Sequence, residues 1–350
     1  MFRRSATAVV ALTAAAGLVA GCGSSSSGGA KAPASNVSGA SAAAELSSAL
    51  TGLGQASTLT TTLKLGSSGS QLLSFIKAQN PSAKITAHQA DLISGGAISF
   101  EVAAPSGKTL STMGGLSNSG AANIALSVNG TGYFAIRVVN QVLYVQADLK
   151  DFLNAIGQAQ AYRQIQSAGG QLPSFLSALV QGKWISLPLS TLKGLAGSLG
   201  AAPSTTNPTQ SKHLLDQLKS LLTNDVTVTK SSSGGVDTLT LTTNLKSFVT
   251  DFTTTFASSI PGAGAALGSA DLSKVPNKDV SLVATVSSGA LSSLSVDLAQ
   301  FAKNPKGTLP IQLSFVRSGP AITVPSGAVA VDLSQLGGLL GAFGGSSGGL

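Results

Sequence analysis

A chain of 350 residues with a single cysteine can close no internal disulfide and can build no cysteine-ligated zinc or iron–sulfur centre. Only 10% of its residues are charged, against about 25% in an average soluble domain, so its polar surface falls to Ser, Thr, Asn and Gln. Its 21 Lys and Arg outnumber 13 Asp and Glu, a formal charge of +8. They are scattered, with neither a basic cluster nor interleaved aromatics, so the electrostatic footprint of a nucleic-acid binder is missing.

The first 21 residues read as an export leader. Arg3 and Arg4 form a positive start, and "ATAVVALTAAAGLVAG" is an apolar run ending in small residues. Val19, Ala20, Gly21 and Cys22 resemble a bacterial lipobox. That resemblance implies cleavage before Cys22, diacylglycerol on its sulfur and usually acylation of the new N-terminus, so that Cys22 is the lipid attachment site. Two acyl chains hold a protein on a membrane where one holds it only marginally. Without Arg3 and Arg4 the chain keeps 19 basic and 13 acidic side chains, a mild bias toward anionic headgroups. The Ser- and Gly-rich stretch to residue 42 has almost no large apolar residue and reads as a flexible spacer.

Residues 43–336 are expected to form one domain, followed by a Gly-rich tail over 337–350. "AAAELSSALTGL" predicts a helix carrying Leu46, Leu50 and Leu53 on one side. Strands are expected in "TLTTTLKL", "AKITAHQADLI" and "GGAISFEVAA", with helical material near 68–80. "GYFAIRVVNQVLYVQADL" reads as a strand pair turning at Asn140 and Gln141. "KDFLNAIGQAQAYRQI", "LPSFLSALV" and "SKHLLDQLKSLL" read as amphipathic helices. "DVTVTKSSSGGVDTLTLTTNL" and "VSLVATVSSGALSSLSVDL" are hairpins with one apolar and one hydroxyl face, and "LPIQLSFVRSG" adds a further strand. Between the two hairpins, "SFVTDFTTTFASSI" places Phe248, Phe252 and Phe256 four residues apart on one helix face.

Reactive chemistry finds little support. His88, expected in a polar strand, and His213, at a helix start, form no HExxH pair, so no metal site is assigned. No G-x-S-x-G turn marks a nucleophile, and "SFIK" and "STLK" match S-x-x-K as a serine-rich chain does by chance. "GAGAALG" lacks the spacing of a dinucleotide loop, and nothing selects a carboxylate pair. The expectation is a non-catalytic protein without a cofactor.

"VVNQVLYVQADL", "GKWISLPL" and "VPSGAVAVDLSQL" resemble segments of actinobacterial lipoproteins of the LppX and LprG kind and, more distantly, the LolA and LolB carriers. The resemblance implies an α+β fold: a large curved antiparallel sheet, a half-barrel, with helices on its concave face around an apolar cavity for acyl chains. It implies binding or transfer of a lipid or lipidated molecule on the extracytoplasmic face of the membrane. The candidate cavity lining is Phe175, Leu176 and Leu179 with Phe248, Phe252 and Phe256. Trp184 is expected to anchor packing. A structural or protein-interaction lipoprotein with a filled core is the alternative, and an unrecognised hydrolase a more distant one; the residues name no protein partner.

Overall fold

The computed structural model describes residues 40–113, 120–167, 173–191, 226–256, 275–302 and 307–331, with backbone only at 40 and 252–256. Cys22, the leader, the spacer, His213 and the Gly-rich tail lie outside the described residues. The chain begins with α1 (Ala40–Gly54), β1 (Thr58–Leu65), α2 (Gly69–Gln79), α3 (Ala87–Ser94) and β2 (Gly96–Ala103). It continues through β3 (Ala121–Val128), β4 (Thr131–Val139), β5 (Val142–Ala147), α4 (Leu149–Ala155), α5 (Ala159–Ser167), α6 (Ser174–Val180) and β6 (Ile185–Pro188). Then come β7 (Thr227–Ser233), β8 (Val236–Asn244), α7 (Leu245–Phe256), β9 (Asp279–Ser287), β10 (Ala290–Asp297), β11 (Pro310–Val316) and β12 (Val329–Ala330).

All twelve strands join one curved, unclosed sheet in the order β12-β6-β5-β4-β3-β2-β1-β11-β10-β9-β8-β7. Every pairing is antiparallel except β12 with β6. The α+β half-barrel expected from the sequence is the fold found. Short turns make the antiparallel neighbours. Asn140 and Gln141 both take positive φ, 52° and 61°, the twist a two-residue hairpin needs, and Gly234 and Gly235 do the same between β7 and β8.

Two local readings are corrected. "AKITAHQADLI" is not a strand, so His88 stands on α3. Thr86 Oγ1 accepts the Gln89 N–H at 3.1 Å while Gln89 Oε1 accepts the Thr86 N–H at 3.0 Å. This reciprocal box satisfies two of the donors a helix start leaves orphaned, and it outweighs the weak alternation of Ile85 and Ala87. Strand β3, for its part, was not among the expected strands, although Ala122, Ile124, Leu126 and Val128 alternate with Asn123 and Ser127.

Period two sets which residues face inward. The core gathers Leu46, Ala49 and Leu53 of α1 with Leu59 of β1, Leu313 and Phe315 of β11, Leu291 of β10, Ala284 and Val286 of β9, Leu239 and Leu241 of β8 and Val228 of β7. Helix α1 contacts β10, β9 and the edge strand β7, so the sheet must bend around a cylinder only about 10–12 Å wide. This half of the concave face is filled. A smaller cluster, Leu72 of α2, Ala90 of α3 and Leu309, closes one end of β1 and β11.

One polar clamp crosses the filled half. Glu45 of α1 lies 2.6 Å from Lys230 Nζ on β7, and Lys230 lies 3.1 Å from Asp237 on β8. The Ser232 hydroxyl donates to Asp237 and, opposed by burial and aided by Lys230, holds that carboxyl below its ordinary range. Lys230 is raised, first by its hydrogen bond to Glu45 and against its own desolvation. A depressed carboxyl stabilises the fold above its unfolded value, about 3.9, and that contribution fades as pH falls through the folded value. The raised Lys230 contributes fully below about 10.4 and loses its hold as pH rises past its folded value. Resistance to urea is therefore expected to fall below about pH 4, and Asp237→Asn to flatten that acid limb. An acid limb identical in the variant would refute the clamp's part in it.

Candidate functional site

The other half of the concave face is built differently. Register places Phe100, Ile124, Ile136, Val145 and Ile185 side by side on β2, β3, β4, β5 and β6. A second row runs Ile98, Leu126, Phe134 and Ala147. Neither row carries a hydroxyl, an amide or a charge. Both continue the face on which Leu59 and Leu63 of β1 join the α1 core, since Leu63 pairs with Ile98 and Leu59 with Val102.

Here, however, isoleucines are open. Ile98 is 37% exposed, Ile124 39% and Ile136 43%, with Ile124 directly opposite Ile136 and Ile98 one diagonal step away. A lone exposed apolar residue such as Ile93 on α3 needs no explanation. Three neighbours on one concave surface do, because water-exposed apolar area costs about 25 cal/mol per Å² relative to burial. The arrangement is a trough, filled by α1 under β7–β11 and apolar but open over β2–β4.

The convex side of this open half is covered. Residues 317–328 cross it as a strap from the end of β11 to β12. Gly319 N–H donates to Thr58 Oγ1 at 3.1 Å, Arg137 Nη1 donates to the Thr323 carbonyl at 2.8 Å, and Val329 N–H donates to the Trp184 carbonyl at 2.8 Å. The Arg137 guanidinium also sits 5.0 Å from the Trp184 ring centre. Trp184 is thus the packing anchor expected, on the face away from the trough. At the end of β4, Phe152 of α4 meets the rings of Tyr133 and Phe134 edge-on at 5.7 and 5.0 Å, closing that corner.

The predicted lining residues that are described stand on two helices that contact different strands. Phe175 is buried, and Leu176 and Leu179 are half-buried, on α6, which contacts β5, β6 and β12. Phe248, half-buried, is on α7, which follows and contacts β8 toward the other end of the strand order. The side chains of Phe252 and Phe256 lie outside the described residues. The exposed isoleucines Ile98, Ile124 and Ile136 were not among the expected candidates. Their alternation was in the sequence, but alternation says which face a residue takes and not what covers it.

Among the described residues the trough rows of β2–β6 carry no titratable or nucleophilic side chain. His88 is exposed, its Nε2 2.7 Å from the Ala155 carbonyl, to which that nitrogen donates when protonated. Among the described residues no three His, Cys, Asp or Glu side chains lie close enough to hold a metal, and no helix is long and apolar enough to cross a membrane.

No protein-family model matches the chain, and no curated protein matches it either. Among solved structures it is similar to LprF from Mycobacterium bovis, at 9% identity over 83% of this chain and 99% of that one, with a TM-score of 0.32. It is similar also to the Mycobacterium tuberculosis lipoprotein LppX, at 13% identity over 81% of this chain and 98% of that one, with a TM-score of 0.30.

Proposed function

We propose that this chain is a lipid-anchored extracytoplasmic protein that binds, and transfers, the hydrocarbon part of a lipid or lipidated molecule in the open half of its trough, without catalysis. The observation that carries the reading is the cross-strand pair Ile124 and Ile136 with Ile98 one diagonal step away, exposed on a concave face that α1 fills elsewhere. A hydrocarbon chain there needs no polar partner, and each methylene it buries contributes about 0.8 kcal/mol. Cys22 carries the acyl chains that hold the protein at the membrane, with the Ser/Gly spacer between anchor and domain.

The filled half favours a second reading, a structural or protein-interaction lipoprotein in which the core only packs. Organic extraction of the purified protein followed by mass spectrometry separates the two. Reproducible, stoichiometric lipid beyond the chains on Cys22 is expected. A preparation of the Cys22→Ala protein free of lipid, and unable to take up a fluorescent fatty acid, would leave only the packing role. The same substitution is expected to abolish metabolic labelling with a radioactive fatty acid; persistent labelling would displace the anchor from Cys22.

A further inference from the structure

A single polar side chain interrupts the apolar lining of the concave face. Three rows of paired residues cross that face from β1, starting at Leu59, Thr61 and Leu63 and ending at Leu187, Ile185 and Ala147. Thr61 is the only hydrogen-bonding side chain in any of them. It is 5% exposed, set between Leu59 and Leu63 along β1 and between Phe315 of β11 and Phe100 of β2 across it. Leu59 and Phe315 belong to the α1 core, whereas Phe100, Ile124 and Ile136 carry the row of Thr61 into the open half, so Thr61 stands at the seam between the two. From there to β6 the row runs about 24 Å at a strand spacing of about 4.8 Å, with no second polar group. Among the described residues no hydrogen bond engages the Thr61 hydroxyl. A buried hydroxyl without a partner destabilises a fold, and valine, of nearly the same shape, would fill the position without one.

We infer that Thr61 is the polar fixing point of the trough, its hydroxyl donating to the ester carbonyl of an acyl lipid whose hydrocarbon runs along Phe100, Ile124 and Ile136. The inference rests on the lipid reading above and names the chemical class of the ligand. An ester carbonyl accepts a hydrogen bond and carries no charge, so it enters an apolar trough at small desolvation cost and satisfies the one donor there. A free carboxylate fits poorly. No cation and no second donor stands in the three rows, and an ion brought out of water onto one hydroxyl loses more than it gains. A fatty acid therefore binds by its tail alone, with the carboxylate left in water. A lipid without a carbonyl leaves the hydroxyl unpaired, and a site built to hydrogen-bond one ligand group rejects the analogue that lacks it. Thr61 thus sets specificity, while the isoleucines supply the apolar contact.

The test compares glycerol monolaurate with glycerol monododecyl ether, which share a headgroup and a chain length and differ in the ester carbonyl. Each is used to displace a fluorescent fatty acid from the full-length Cys22→Ala protein. The ester is expected to bind about threefold to tenfold more tightly than the ether, the worth of one hydrogen bond. Adding Thr61→Val should make the two equal, and Thr61→Ser should keep the preference. Relieved of an unpaired hydroxyl, the lipid-free Thr61→Val protein should also melt no lower than its parent, a readout that needs no ligand. Equal affinity of the parent for ester and ether, a preference that survives in the folded Thr61→Val protein, or a lowered melting midpoint in that variant would overturn the inference. Equal displacement by both amphiphiles would leave the lipid reading standing without Thr61, whereas a protein that takes up neither probe nor amphiphile would lose both.

Discussion

Ile124→Asp is expected to remove bound lipid while leaving the protein folded. Ile124 stands at the centre of the open rows, flanked by Phe100 on β2 and Ile136 on β4. At 39% exposure an aspartate there keeps much of its water in the free protein. The folding penalty is then mainly the low strand preference of Asp, about 1 kcal/mol or less. A hydrocarbon chain laid over the trough would strip that water and offer no partner, and burying an unpaired carboxylate is far costlier than burying a methyl group. Affinity for a fluorescent fatty acid should fall by roughly tenfold to a hundredfold, which corresponds to about 1.4 to 2.7 kcal/mol. Ile124→Leu should bind as wild type does. Unaltered fatty-acid binding by a folded Ile124→Asp protein would move the ligand out of this trough.

Leu239→Ala should have the opposite profile. Leu239 is fully buried in β8, in the cluster that α1 completes, with Ala284 opposite it on β9. Removing three carbons from a site held between a helix and a sheet leaves a cavity that neither can collapse to fill. The expected cost is about 2 to 5 kcal/mol, a large share of the 5 to 15 kcal/mol that holds a typical domain together. At about 2 to 4 °C per kcal/mol for domains of 150–250 residues, the thermal midpoint should drop by roughly 5 to 15 °C. Ile136→Ala, at a site 43% exposed, should cost much less, about 1 kcal/mol. Equal losses at the two positions would mean that the β4 row is as covered as the α1 core, and the open trough would not exist.

The contrast between these two sites marks where the sequence is readable. Alternation in "VDTLTLTTN" tells that Leu239 and Leu241 point one way and the threonines the other, and the structure agrees. Alternation in "AANIALSV" carries the same information about Ile124, but it is weaker, because small alanines at 121 and 125 blur the polar face. Helix α3 was hidden for another reason: its signal is the Thr86–Gln89 box, a feature of hydrogen bonding rather than hydropathy. The Phe248 stripe illustrates a further limit. A helix's apolar side shows that it packs on something, but α7 follows β8 while α6 adjoins β5, β6 and β12, and no periodicity encodes that separation. What leaves Ile124 open and Leu239 closed is the placement of α1, a tertiary fact.

Strand β1 has β11 as one neighbour and β2 as the other, so the middle of the sheet joins chain from near both ends of the domain. The Gly319–Thr58 hydrogen bond spans 261 residues. Closing so long a loop costs entropy before any contact repays it, and distant pairings slow folding generally. Leu46 and Leu53 can reach their shelter only after Leu241, Ala284 and Leu313 have been synthesised. A ribosome partway through this message would therefore carry a chain with its first helix still unsheltered.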